Sequence, residues 1–330
     1  MPQKYDVAGL GNAIMDVIAA VDDGFLLEHG VAKGAMTLID EFRAQELHKA
    51  LGKSVQEAGG SAANTMAGLA SLGARAVFLG KVRDDALGAR FGESLKSLGV
   101  DFTTAPAAGG SPTASSMIAV TPDGQRSMNT YLGACREMTP ADVDEHEIAQ
   151  AGILYIEGYL WDADAAKEAS RKAIRAAKQA GAKVALSLSD SFCVGRFRDE
   201  FLDLMKRDLD ILFANEDEAK SLFETEDFAL VAEKMKAWGK LAVITRSAQG
   251  CVVVQGSEHH AVAAHPVAKV VDTTGAGDLF AAGFLYGLTR GKRLIDCGKL
   301  GGLAAAEVIS HYGARPEKSL KQLATDAGLI

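Results

Sequence analysis

Residues 272–278 read D-T-T-G-A-G-D, set between the run V-A-K-V-V (267–271) and the apolar stretch L-F-A-A-G-F-L-Y-G-L (279–288). The β-branched valines predict a strand ending near Val271. Gly275 and Gly277 then turn the chain into a helix carrying Ala281, Ala282, Phe284, Leu285 and Leu288. A helix N-terminus of this kind exposes unpaired N–H groups and the positive end of the macrodipole. It can therefore hold an anionic oxygen without a basic side chain. Asp278, in the first turn, stands where a carboxylate could take a proton from an attacking hydroxyl. The plainer alternative is a carboxylate that caps the helix beside two glycines making a sharp turn.

Outward from this junction, short β-like runs recur: Y-D-V-A-G-L, A-R-A-V-F-L-G, A-G-I-L-Y-I-E-G, A-K-V-A-L-S-L, L-D-I-L-F-A and K-L-A-V-I-T. Several are apolar on both faces, as strands covered by helices on both sides must be. Between them lie stretches of helical period such as D-A-D-A-A-K-E-A-S-R-K-A-I-R-A-A-K-Q-A-G, ending at Gly181. The alternation predicts an α/β fold: a doubly wound, mostly parallel sheet with helices on both faces. Two regions break the rhythm, residues 12–39 and 100–132. The second contains T-P-D-G (121–124), the composition of a tight hairpin turn. We expect them to form a small discontinuous β-sheet lid on a single domain spanning residues 1–330.

Composition narrows the function. The 330 residues are 48% hydrophobic and 24% charged, enough for a large core, with a net charge of −8. No run of five or six Lys/Arg offers a footprint for nucleic acid or anionic lipid, so we expect small-molecule partners, no nucleic acid and no membrane. Cys135, Cys193, Cys251 and Cys297 are widely spaced and are read as buried thiols of a reducing compartment. The N-terminal segment is broken by Asp6, Asn12 and Asp16, and the longest apolar run is short of a membrane span. A cytoplasmic location is expected.

Four further motifs have both plain and chemical readings. E-A-G-G-S-A-A-N-T-M-A-G (57–68) is a tightly packed, N-capped helix, or one hinged at Gly59 and Gly60 with Asn64 facing a ligand. G-L-G-N-A-I-M-D-V (9–17) ends a strand with Asn12 and Asp16, either solvated or on one face. A-N-E-D-E-A-K-S-L-F (214–223) reads as Asn215 capping a helix, with Asp217 and Glu218 in its first turn. V-I-T-R-S-A-Q-G-C-V-V-V (243–254) places Thr245, Ser247 and Gly250 in a turn between strands. Two nucleotide fingerprints are rejected. Ile14 stands where a dinucleotide loop needs its third glycine, and Leu47 stands where a phosphate loop ending in A-L-G-K-S needs its first.

D-T-T-G-A-G-D followed by F-x-x-G-F resembles the C-terminal signature of the ribokinase-like (PfkB-type) carbohydrate and nucleoside kinases. The G-G-x-x-x-N of residues 59–64 is similar to that family's N-terminal signature, and Asn215-x-x-Glu218 to its magnesium motif. The resemblance runs from Gly11 to about Arg315. It implies a kinase fold, ATP and Mg²⁺ as cofactors, with a monovalent cation left open, and a nucleoside or sugar as acceptor on a monomer or homodimer.

By the same resemblance Asp278 is the base, and Gly275, Ala276 and Gly277 form the anion hole. Gly60 and Asn64 contact sugar hydroxyls, and Asn215 and Glu218 position Mg²⁺. Thr245, Gly250 and Gly302 line the ATP site, with Ser247 departing from the family's glycine there. G-N-x-x-x-D-V is similar to the adenosine kinases, in which the residue matching Asp16 clamps ribose hydroxyls beside Asn12. Arg126 aligns with an arginine near the transferred phosphate. Adenosine converted to AMP, as in purine salvage, is the expected reaction. Tyr159 and Trp161 remain either nucleobase stackers or core, and His259 and His260 are given no metal.

Overall fold

The computed structural model describes residues 3–330. Fourteen strands are formed among them. In chain order they are β1 Tyr5–Leu10, β2 Ile14–Ala20, β3 Met36–Leu38, β4 Val55–Ala58, β5 Ala76–Leu79, β6 Val100–Phe102 and β7 Ala114–Val120. β8 Arg126–Tyr131, β9 Ala151–Glu157, β10 Lys183–Ser187, β11 Ile211–Asn215, β12 Leu241–Thr245, β13 Cys251–Gln255 and β14 Glu258–Val262 follow. Nine make one sheet in the order β14-β13-β12-β11-β10-β9-β1-β5-β6, parallel from β12 to β6 with an antiparallel edge at β13 and β14.

Its strands alternate between two cores. Val7 packs with Phe78, Phe91 and Phe284 on one face, while Ala8 and Leu10 pack with Leu154, Trp161 and Phe201 on the other. This is why the strands read as continuous apolar runs.

The other five strands form a second sheet, β3-β8-β7-β2-β4. Its Val17, Ala19, Met117 and Ala119 pack under helix Glu41–Leu51 through Ala44, Leu47 and Leu51. Asp16, alternate to Met15 and Val17 on β2, falls on the opposite face. The T-P-D-G hairpin joins β7 to β8, with Val120 paired to Arg126.

Three details differ from the sequence reading. Val100–Phe102 belongs to the large sheet, next to β5. Val55–Ala58 joins the small one, pairing antiparallel with β2. The run at 268–271 is no strand: the Val271 N–H donates to the Ile309 carbonyl at a helix end, and these valines join no ladder.

Helix Ala276–Thr289 lies between helices Ser61–Ser71 and Leu294–Val308. The contacts are close because the facing residues are small. A β-carbon on Gly68 would sit 2.6 Å from Leu279 Cδ1, and one on Gly283 would overlap the Leu300 carbonyl. This packing, with the two signatures on adjacent helices, brings residues 61–64 against residue 278. No helix among the described residues is long and apolar enough to cross a membrane, and all four cysteines are buried and free.

Candidate active site

Parallel pairing puts the ends of β1, β9, β10, β11 and β12 along one edge of the large sheet, so Asn12, Glu157, Asn215 and Thr245 follow one another across it. β1 and β11 are three strand spacings apart, roughly 14 Å.

At the β1 end, Asp278 is gripped from helix Ser61–Ser71. Ser61 Oγ donates to Oδ1 at 2.6 Å, and Asn64 Nδ2 donates to Oδ2 at 3.1 Å. Burial raises the Asp278 carboxyl above its usual range, and these two hydrogen bonds partly oppose that. Asn64 thus bonds the carboxylate itself. Ser61 carried no assignment in the sequence reading, although it follows the glycine pair directly. Gly60 introduces the helix with φ 90°, and a β-carbon there would overlap the Asn12 carbonyl, so only glycine lets the two loops meet.

The loop before Asp278 turns through Gly275 at φ 77°, where a β-carbon would lie 2.7 Å from the Ala314 carbonyl oxygen. The amides of Gly275 and Gly277 have no backbone partner outside the helix among the described residues, whereas the Ala276 N–H donates to Thr273 O at 3.2 Å. Gly277 faces open space. Asp272 braces this loop. It accepts from Thr274 N at 3.0 Å, Thr274 Oγ1 at 2.7 Å and Gly313 N at 3.1 Å, and it pairs with Arg126 from β8. Burial would raise its carboxyl, but those hydrogen bonds and the Arg126 charge hold it below the usual range. Arg126 therefore reaches the loop 272–277 by way of Asp272.

Two more acids surround Asp278. Half-buried Asp16 is pushed up to about 7 by desolvation and by the charges of Glu57 and Asp278, against the pull of Arg126 and Arg315. Glu157, 1% exposed at the end of β9, accepts from Asn12 N and Ala62 N, both at 2.9 Å, and is raised to about 7 chiefly by burial. It ties the Asn12 turn to the start of helix Ser61–Ser71. A charged residue closing an all-apolar strand was the signal that could have found it. Clefts of about 540 and 480 Å³ flank residues 312 and 313, the larger lined by Arg315 and Ser94, the smaller by Ile18, Val55 and Arg126. Asp278 lines neither cleft.

At the other end of the edge, Asn215 and Glu218 form a reciprocal capping box on helix Glu216–Phe223. Glu218 N donates to Asn215 Oδ1 at 2.8 Å, Asn215 N donates to Glu218 Oε2 at 2.9 Å, and Asn215 Nδ2 donates to Oε1 at 2.6 Å. Glu218 is 5% exposed and is raised to about 7 by burial and by the charges of Asp190 and Asp217. No group of three His, Cys, Asp or Glu among the described residues converges as a direct metal cage. A buried carboxylate beside other acids, with no cation paired to it among the described residues, fits Mg²⁺ held through its waters.

Thr245 is Asn215's register partner on β12. The turn after it is held by Arg246 on Glu216, at 2.7 Å. Ser247 stands at φ 48°, in the left-handed region that explains the glycine usual at that place. Gly250 lies across from Val262, and Gly302 across from His265. Of the two aromatic candidates, Trp161 is core, 1% exposed and 5.5 Å from the Phe201 ring, while Tyr159 is only partly buried near Ser189. His259 and His260 lie on edge strand β14.

Known proteins share this architecture. A probable sugar kinase from Rhizobium etli is 50% identical, with a TM-score of 0.93 over 99% of this chain and 100% of that one. An adenosine kinase from Sinorhizobium meliloti is 54% identical, with a TM-score of 0.91 over 98% and 99%. A curated sugar kinase of Archaeoglobus fulgidus is 43% identical over 107 residues, a match covering 32% of this chain and 42% of that protein. The model of the pfkB family carbohydrate kinases matches residues 31–320. With both signatures on one edge of the sheet and that match across most of its length, the chain belongs to the pfkB family of carbohydrate kinases.

Proposed function

We propose that the protein transfers the γ-phosphoryl group of ATP to the 5′-hydroxyl of a nucleoside, with adenosine as the preferred acceptor. The observation that carries the reading is Asp278, a carboxylate held by Ser61 and Asn64 at the N-terminus of helix Ala276–Thr289. In that position it takes the proton of the incoming hydroxyl as the oxygen attacks the γ-phosphorus and the bond to the ADP oxygen breaks. The Gly275 and Gly277 amides receive the negative charge of the PO₃ unit in flight, while the Ala276 N–H, which donates to Thr273 O, adds only its dipole. Arg126 steadies the same loop through Asp272 and adds positive potential.

Alignment and charge neutralisation do most of the work in so loose a transition state. Asn215 and Glu218 would hold Mg²⁺ through its waters, and that ion supplies charge neutralisation to the triphosphate. Thr245, Gly250 and Gly302 bound the nucleotide groove, while Asn12, Asp16, Gly60 and Asn64 hold the acceptor.

Adenosine is favoured by Asp16, whose carboxylate has no hydrogen-bond donor among the described residues and suits a vicinal diol. The 54% identity to the Sinorhizobium meliloti adenosine kinase supports the same choice. So do Met36 and Leu38 on edge strand β3, 49% and 54% exposed, an apolar surface a nucleobase would cover and a plain sugar would leave wet. A sugar is the second reading, favoured by the likeness to the Rhizobium etli protein. ADP release with Mg-ATP, measured over nucleosides, ribose, fructose and their phosphates, tests both. Highest kcat/KM on adenosine is expected, and preference for a free sugar would replace the nucleoside reading.

A further inference from the structure

Arg315 lies in the segment after helix Leu294–Val308, and nothing in its sequence surroundings marks it. Its Nε donates to Asn64 Oδ1 at 3.3 Å and its Nη1 to Ser94 Oγ at 2.9 Å, while Nη2 is buried with no partner among the described residues. The guanidinium is pushed down to about 10 by burial, against the charges of Asp16 and Glu57. A buried cation with an orphan N–H destabilises a fold, so packing alone does not account for it.

The geometry gives it work on Asn64. An amide offers an oxygen on one side and an NH₂ on the other, and a guanidinium, having donors only, can bond the oxygen alone. That choice turns Nδ2 toward Asp278. Reversed, the amide would set an oxygen against the carboxylate. We propose that Arg315 is a positioning residue for phosphoryl transfer: anchored on Ser94, it locks the Asn64 amide so that Asp278 is held by an N–H donor in one orientation.

The proposal rests on the reading of Asp278 as the base. Loss of the lock removes a hydrogen bond that favours ionised Asp278, so the acid limb of the kcat/KM profile moves to higher pH. Asp16, Glu57, Glu157, Tyr155, Tyr159 and Arg126 also face this region, and the charge of Arg315 also acts on Asp16. The test is therefore a cycle of Arg315→Gln with Asn64→Ala, using Mg-ATP and adenosine across pH.

Arg315→Gln is expected to lower kcat roughly tenfold, about the worth of one hydrogen bond to a charged group, with an alkaline shift of the acid limb. In the Asn64→Ala background, where the limb is already displaced, it is expected to add no further shift. An unmoved limb in Arg315→Gln overturns the proposal, as does a shift that persists undiminished without Asn64, which would trace the effect to Asp16. Should Arg315→Gln not fold, Arg315→Lys takes its place in the cycle with the same two outcomes, since an ammonium lacks the fork that spans Asn64 and Ser94. A wild type inactive on every alcohol, or an Asp278→Asn variant at wild-type turnover, removes the base reading and this proposal with it. An active wild type, a silent Asp278→Asn and an unshifted Arg315→Gln remove the Arg315 proposal alone.

Discussion

The two halves of the sheet edge are built on different principles. Around β1, β9 and the small sheet, charges are crowded and incompletely matched: Asp16 and Glu157 are both raised to about 7, Asp278 is raised, and Arg315 is buried with an unpaired N–H. Around β11 to β13 the polar groups are hydrogen-bonded or ion-paired in closed sets, even though buried Glu218 is also raised to about 7. The Asn215–Glu218 capping box is closed, and the Arg246–Glu216 pair ties the next turn to it. On the proposed reading, the first half suits a partner bringing hydroxyls, or a proton in transit. The other half presents settled backbone turns, suited to a nucleotide recognised by shape and by its metal-bound phosphates. The contrast predicts that substitutions in the first half disturb chemistry and acceptor affinity, while those in the second register mainly as nucleotide KM or stability.

The largest effect is expected at Asp278. Asp278→Asn keeps the hydrogen-bonding size of the side chain but cannot take a proton, and turnover should fall roughly 10²-fold or more while adenosine still binds. Single-turnover kinetics beside calorimetric titration separate the two, and near-normal turnover would dissolve the contrast between the halves. Next comes Asp16→Ala, expected to weaken acceptor binding roughly 10- to 100-fold through loss of hydrogen bonds to a charged group. ATP affinity should hold within a few-fold. If titration finds acceptor affinity unchanged, Asp16 is no clamp.

The buried acids of both halves also predict how stability follows pH. Glu157 has a folded pKa of about 7, above its unfolded value of about 4.3. Between those values the native state keeps a proton that the unfolded chain has shed. The stabilisation from this group is therefore full below about pH 4 and is lost as pH rises through 7. Asp16 and Glu218 share the sign. The thermal midpoint of the ligand-free protein should fall between about pH 5 and 7.5. Glu157→Gln, neutral throughout, should flatten part of that slope even though its amide serves the Asn12 and Ala62 N–H groups less well. An equal slope in the variant would mean that Glu157 does not titrate in this window.

What could be read beforehand follows from chain distance. Asp278 with its glycine loop, Gly60 with Asn64, and Asn215 with Glu218 are each written within a few residues, because a turn, a helix start and a cap are local structures. The alternation of apolar runs and helical stretches likewise carried the doubly wound sheet. Contacts made across the fold left no such trace: Ser61 on Asp278, Arg126 on Asp272 and Arg315 on Asn64 join residues 217, 146 and 251 positions apart. The run at 268–271 misled for a related reason. β-branched residues favour extended backbone, but a strand also needs a neighbour, and here the chain finds only the end of helix Leu294–Val308.

The smallest effect probes the settled half at Ser247, one of its left-handed non-glycine residues. Ser247 holds φ 48° in the turn Ser247–Gln249, a conformation that costs a non-glycine residue about 1 kcal/mol. Ser247→Gly relieves that strain but gives the unfolded chain more freedom, so the gain should be under about 1 kcal/mol, a rise of no more than a few degrees in the thermal midpoint. Should ATP affinity stay level as the midpoint rises, the serine is a tolerated departure in a turn whose backbone does the binding. A loss of affinity of about tenfold would instead make its hydroxyl a nucleotide ligand, worth roughly one hydrogen bond. The half described as shape-reading would then depend on a side chain after all.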